Sequence, residues 1–343
     1  MIASSESEHA PTSSDVGASE ADPVADRLRW SQPASVRLAQ MKKARLHIYV
    51  EGKLHDSYYY SKVLKDRLEI ACLEADFHLA RELDSVGQGK GRCLNFFRFL
   101  RDQNCLRSVL GGETTNHLFI LDKDIDDEEG VLIDSPHIIY TAHYGVENHI
   151  IRESDLCNAI AATSSLDLKR VAKSLGNPNA WLDHCCEVWK DWVAVCILAK
   201  MSKCGIANYR MSSKINVPVL AATSPNLLSL QLDAIANKCA RSTDVATEEL
   251  RTLLQRVDER YLSGRHDTLF KGKWYAQFVS EFVKSITGVG SLDERALWAA
   301  LAASVDSYNS GSDVFRRGLD RLLSYTVTEA NEVLTAVGAS LAE

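Results

Sequence analysis

Apolar residues recur along this chain with two different periods, and the change of period divides it. Up to about Ile151, short β-prone runs alternate with amphipathic stretches. Residues 45–50 read as a first strand. Residues 57–69 read as a helix, with Asp56 as its N-cap and Tyr60, Val63, Leu64 and Leu68 on one face. A second strand is expected around 70–73, extending towards Phe77. The run Gly87-Gln88-Gly89-Lys90-Gly91 then leads into a helix over 92–103 that buries Leu94, Phe97 and Leu100. Residues 116–121 and 137–141 read as two further strands, the last ending near Tyr144-Gly145-Val146-Glu147-Asn148. Strands alternating with helices predict βαβ units and an α/β fold with a mainly parallel sheet flanked by helices.

After Ile151 the period becomes helical almost throughout. Helices are expected over 153–162, 166–175, 179–201, 225–239, 244–262, 269–286, 291–305 and 312–324, with 205–224 as a loop. No repeat of fixed period is visible. Residues 1 to about 35 are rich in Ser, Ala, Glu, Asp and Pro and poor in large apolar side chains, the composition of a disordered segment. The expected organisation is a disordered tail over 1–40, an α/β domain over 41–155 and an all-helical domain over 156–343.

Composition narrows the classes. A formal net charge of −7 argues against a protein that coats nucleic acid without regard to sequence, which needs a broad basic surface. It remains compatible with a nuclease, because clustered acidic ligands themselves lower the net charge. No apolar run reaches the roughly 20 residues of a membrane span. With no basic and apolar leader at the start, the expected compartment is the cytoplasm. The nine cysteines form no regular framework and are expected as reduced thiols. His184-Cys185-Cys186 reads as buried thiols rather than zinc ligands, since adjacent helical residues point apart. Trp181, Trp189 and Trp192, at helical spacing, read as core.

The candidate chemistry sits where strands end. Val50-Glu51-Gly52 closes the first strand, and Leu121-Asp122-Lys123-Asp124 closes the third. In an open α/β sheet, ligands bind beyond the carboxyl ends of the strands, so Glu51, Asp122 and Asp124 can converge there. If the strand continues through Asp122 and Asp124, their i, i+2 spacing places both on one side. Like charges brought together call for a cation, and an all-oxygen set suits Mg²⁺ or Mn²⁺. The alternative is a solvated acidic loop, because Asp126, Asp127, Glu128 and Glu129 follow at once. Glu147 is a further candidate ligand, or a helix N-terminal carboxylate stabilised by the dipole. The glycine run lacks the spacing of a nucleotide-binding P-loop. It can still offer backbone N–H groups to phosphate, with Lys90 as a point charge. Lys271 and Lys273, beside Trp274, are candidate nucleic-acid contacts, while Trp274 itself reads as core.

The order of these motifs resembles the Toprim domain of topoisomerases, bacterial primases and overcoming-lysogenisation-defect (OLD) nucleases. The matching residues are Ile48-Tyr49-Val50-Glu51-Gly52 with Asp56 and Tyr59, then Asp122-x-Asp124, then Tyr144-x-x-Glu147-Asn148. They are similar to stand-alone Toprim/OLD-like proteins with a helical C-terminal domain, some of which resemble the nuclease partner of an ABC-type ATPase in PARIS-type anti-phage systems. The motifs cover roughly residues 44 to 155. The resemblance implies Glu51 as acid/base or metal ligand and Asp122 and Asp124 as Mg²⁺ ligands. Asp126 is a substitute ligand for either aspartate, and Glu147 an extra one. It implies a metal-dependent nuclease acting on DNA or RNA, tRNA included, as a toxic defence effector controlled by an ABC-type ATPase partner. Homo-oligomerisation stays open. The rival is a non-catalytic adaptor that binds an ATPase or a nucleic acid. An NTPase is disfavoured by the missing P-loop.

Overall fold

The computed structural model describes residues 31–41, 44–52, 54–83, 85–110, 112–201, 237, 247–288, 292–305 and 313–325. Five strands form one sheet: β1 (Leu46–Val50), β2 (Ala75–Leu79), β3 (Arg107–Leu110), β4 (Glu113–Leu121) and β5 (Ile138–Tyr140). The order is β2-β1-β4, with β3 and β5 sharing the far edge of β4. All pairings are parallel except that of β3 with β4. This is the expected α/β architecture.

Four elements depart from the sequence reading. Helix α2 (Leu54–Ile70) starts a turn early, so Asp56 lies within its first turn and is buried rather than capping it. The same helix runs on through Ile70, which is 74% exposed, and is closed by a turn in which Cys72 has φ 51°. The apolar run at 70–73 is therefore a helix end and turn, and β2 begins only at Ala75. Strand β3 was not expected, and the hairpin it makes with β4 extends that strand back to Glu113. A helix, α1 (Gln32–Met41), also occupies ground that composition assigns to the tail, and it buries Val36 and Ala39. Residues 1–30 lie outside the described residues.

The remaining helices are α3 (Gly89–Asp102), α4 (Val146–Glu153), α5 (Leu156–Ser164), α6 (Leu168–Leu175), α7 (Pro178–Val188), α8 (Lys190–Met201), α9 (Thr247–Leu262), α10 (Tyr275–Thr287), α11 (Glu294–Ser304) and α12 (313–325). Expected helix 179–201 is thus two helices. Asn177 and Pro178 start the first of them, and the chain breaks at Trp189. The helix expected over 269–286 is preceded by two short 3₁₀ turns, His266–Thr268 and Gly272–Trp274. The expected loop 205–224 and most of helix 225–239 fall outside the described residues.

Strand periodicity sorts the core into two layers. Leu46, Ile48, Val50, Leu118 and Ile120 face α2 and the C-terminal helices, whose Phe278, Leu297 and Phe315 belong to the same buried cluster. Tyr49, Phe119 and Leu121 face the other way, against Cys93, Phe96, Phe97 and Leu100 of α3. Trp189, Trp192 and Trp274 are buried, as is Cys186, whereas His184 is exposed. The seven cysteines described are all free thiols. Among the described residues, no helix is long and apolar enough to cross a membrane.

Candidate metal centre

Two neighbouring parallel strands, β1 and β4, deliver Glu51 and Asp122 to the same end of the sheet. The Asp122 amide donates to Glu51 Oε1 at 2.7 Å, so one carboxylate is held by the backbone of the other. Gly52 makes this possible: a Cβ there would lie 1.5 Å from Asp56 Oδ2. Helix α2 therefore begins against the turn, with a third acid, Asp56, buried behind the first two.

Glu147 joins from the start of α4. The Val146 amide donates to Asp122 Oδ1 at 2.9 Å. A Cβ on Gly145 would stand 3.2 Å from both Asp122 Oδ2 and Glu147 Oε2, so these two carboxylates abut one point of backbone. The helix dipole favours negative charge there. Lys273 Nζ, from the second 3₁₀ turn, pairs with Glu147 Oε1 at 3.1 Å.

Asp124 is placed differently from its expected position. Strand β4 ends at Leu121, and Asp124 takes a left-handed φ of 53° with its amide on the Tyr144 carbonyl at 2.7 Å. Alternation along a strand therefore does not pair it with Asp122. Its carboxylate meets Lys90 Nζ at 3.0 Å, and Asp126 meets the same ammonium at 2.7 Å. Lys90 lies in the first turn of α3, which begins inside the glycine run, and it also donates to the Asp122 carbonyl. The acidic stretch that follows is ion-paired rather than solvated: Arg260 is 2.6 Å from Glu128, and Lys200 is 3.6 Å from Glu129.

Electrostatics follow from this crowding. Burial first, then Asp122, holds the Glu51 carboxyl well above the ordinary range. Burial, then Glu147, Asp124 and Asp56, does the same to Asp122. Burial alone would lower Lys90, but Asp124, Glu51 and Asp126 outweigh it and raise its pKa. Glu147 raises that of Lys273. Lys271 starts the 3₁₀ turn and is half-buried. Two of the three lysines singled out in the sequence are thus bound to the candidate metal ligands.

The donor set fits Mg²⁺ held with water. Among the described residues, the groups that bring three ligand atoms within 4.8 Å of one another do not include three of these carboxylates. Mg²⁺ usually keeps several waters and uses one or two carboxylates. Asp122 and Glu147 around Gly145 provide that pair, and Glu51 stands beside them.

Sequence reasoning missed two members. Asp56 reads as a cap, although its five-residue spacing from Glu51 carries it into the site. Tyr60, fully buried, has its hydroxyl pKa raised by burial, then by Asp122 and Asp56. It lies one helical turn after Asp56, on the face assigned to the core.

The second 3₁₀ turn packs without slack. A Cβ on Gly272 would lie 2.6 Å from the Asn148 backbone nitrogen, and backbone cannot swing aside. Gly272→Ala is expected to destabilise the fold by about 1–3 kcal/mol through overpacking. Urea unfolding would measure it, and an unchanged midpoint would show that the turn can move.

No protein-family model matches the chain, and no curated protein matches it.

Proposed function

We propose that this chain is a Mg²⁺- or Mn²⁺-dependent nuclease of the Toprim/OLD type that hydrolyses phosphodiester bonds in DNA or RNA. The observation carrying this reading is the junction of Glu51 and Asp122 at the carboxyl ends of adjacent parallel strands, with Glu147 beside them. Asp122 and Glu147 would hold the cation, with Glu51, Asp124 and Asp126 in reach of the same charge network. A bound divalent ion would polarise the phosphoryl oxygen and acidify a water.

The protein's own groups supply the rest. Glu51, whose carboxyl is held above the ordinary range, is suited to take the proton of the attacking water. Lys90 and Lys273 are placed to exchange a carboxylate partner for a phosphate oxygen when substrate arrives. By the same resemblance, the biological role is a toxic effector of anti-phage defence released by an ABC-type ATPase.

One observation favours the adaptor reading: lysines already neutralise Asp124, Asp126 and Glu147. The two readings separate in cells. Cultures expressing the chain, alone and with an ATPase partner, would be challenged with phage and their DNA and RNA examined for breaks. Breaks that disappear with Glu51→Gln support the nuclease. Intact nucleic acid with equal protection from wild type and Glu51→Gln would move the assignment to the adaptor.

A further inference from the structure

On the face of the sheet that carries Tyr49 and Phe119, polar groups meet where the strand pattern calls for apolar ones. His47 of β1 lies in register with Asp76 of β2, and His78 follows two residues later on the same face. His47 Nδ1 is 3.0 Å from His78 Nε2, and one ligand atom from each of His47, Asp76 and His78 lies within 4.8 Å of the others. We propose that these three side chains form a second metal site, one that takes Zn²⁺ and joins strands β1 and β2.

The proton positions favour it. His47 Nε2 is 3.2 Å from the Ala39 carbonyl oxygen, which can only accept. Nε2 therefore carries the proton of the neutral ring, and the Nδ1 lone pair points at His78. Metal-bound histidines are held by the same device, the second ring nitrogen donating to a carbonyl or carboxylate. In the metal-free protein, the His78 Nε2 proton fills the gap between the rings; for Zn²⁺ to bind, that ring would lose the Nε2 proton to solvent and carry one on Nδ1 instead, freeing the Nε2 lone pair for the ion. Tetrahedral Zn–N bonds imply a nitrogen separation of about 3.3 Å, so the rings need part by only a few tenths of an ångström.

The donor chemistry separates this site from the carboxylate cluster. Two imidazoles and a carboxylate suit Zn²⁺, whereas an all-oxygen set suits Mg²⁺. His47 is four residues before Glu51, roughly 13 Å along an extended strand. His47 is fully buried, while Asp76 and His78 are partly exposed, so the ion has an entry path and a fourth position for water. Through Ala39, the site also reaches α1. A second grouping, Cys186 with His266 and Asp267, is a poorer host. There Asp267 already pairs with Arg152 at 2.8 Å and accepts from the Tyr275 hydroxyl at 2.6 Å, so a cation would face a guanidinium.

The full chain would be stripped with chelator, re-equilibrated with Zn²⁺ in excess Mg²⁺, desalted and assayed for metal by mass spectrometry. The expected result is one Zn²⁺ retained per chain, with Co²⁺ in its place giving the visible bands of a tetrahedral site. Zn²⁺ should raise the melting temperature. His78→Gln and Asp76→Asn should each weaken retention by more than about tenfold, since losing even a second-shell partner costs 10–100-fold. Cys186→Ser and Asp122→Asn should keep the ion. No retained Zn²⁺ in the wild type, or retention unchanged in His78→Gln, would overturn the site. Metal content reads independently of any nuclease activity.

Discussion

Asp122→Asn is expected to remove the phosphodiester hydrolysis proposed for this chain while making the metal-free protein more stable. Asp122 is partly buried, and burial together with Glu147, Asp124 and Asp56 raises its carboxyl pKa in the folded state. A carboxyl raised in this way binds more protons folded than unfolded. Its favourable contribution is present below the unfolded value of about 3.9 and is lost as pH rises through the folded value. At neutral pH, above the unfolded value, the carboxyl is therefore a burden that asparagine lifts. The amide oxygen can still accept from Val146, so the turn into α4 keeps its anchor. The melting temperature of the metal-free variant should rise by a few degrees at pH 7, and the gain should shrink towards pH 4. Hydrolysis should fall by on the order of 10³-fold, the loss of several kcal/mol of transition-state stabilisation. Mg²⁺ should raise the melting temperature of the wild type but not of the variant. A variant that unfolds earlier than wild type without metal, or that cleaves normally, would refute this account of the site.

The second large effect lies behind the site. Asp267 anchors the segment that presents Gly145 and Glu147: its carbonyl accepts from Tyr144, and its carboxylate accepts from Asn148 and Tyr275. Arg152 of α4 lies against it, with Nε 2.8 Å from Asp267 Oδ2, and also reaches Asp183 at 2.8 Å. Burial alone would raise the Asp267 carboxyl, but Arg152, His143 and the Tyr275 hydroxyl overcome it and lower its pKa. This contribution is present above the unfolded carboxylate value and is lost as pH falls through the lower folded one. Asp267→Asn leaves the partly buried Arg152 guanidinium with only the exposed Asp183 as its carboxylate partner, a change that costs about 3 kcal/mol, the low end for breaking a buried pair. The melting temperature should drop by on the order of 10 °C. A drop of under about 2 °C in calorimetry would mean that solvent reaches Arg152 freely. Nearby, burial and then the ring of His149 push His143 down to about 3.

What was legible in the sequence was local. Alternation and turn residues located β1, the end of β4 and β5, because strand burial imposes a period that survives without a partner in view. Carboxylates directly after apolar strands marked Glu51 and Asp122, since the end of a parallel strand has a set place in the sheet. The reading failed where a run of apolar residues carries no period. The run at 70–73 is four residues long, too short to tell a helix end from a strand, and the left-handed turn at Cys72 is decided by backbone closure onto Leu68 and Glu69. Strand β3 has few apolar residues, and Val109 is exposed, so nothing but its pairing with β4 identifies it.

The amino-acid sequence by itself determined an α/β chain with acidic strand ends and a long helical second half. Tertiary structure decided which of those acids meet, because hydrogen bonds across elements have no signature in spacing. It moved Asp124 off the strand and onto Lys90, drew Asp56 and Tyr60 in behind Glu51, and turned Lys273 towards Glu147. It also brought His47 and His78, 31 residues apart, to 3.0 Å. Each of these contacts depends on the register of neighbouring strands and on helices packing over them, quantities set by the whole core at once rather than by any segment of it.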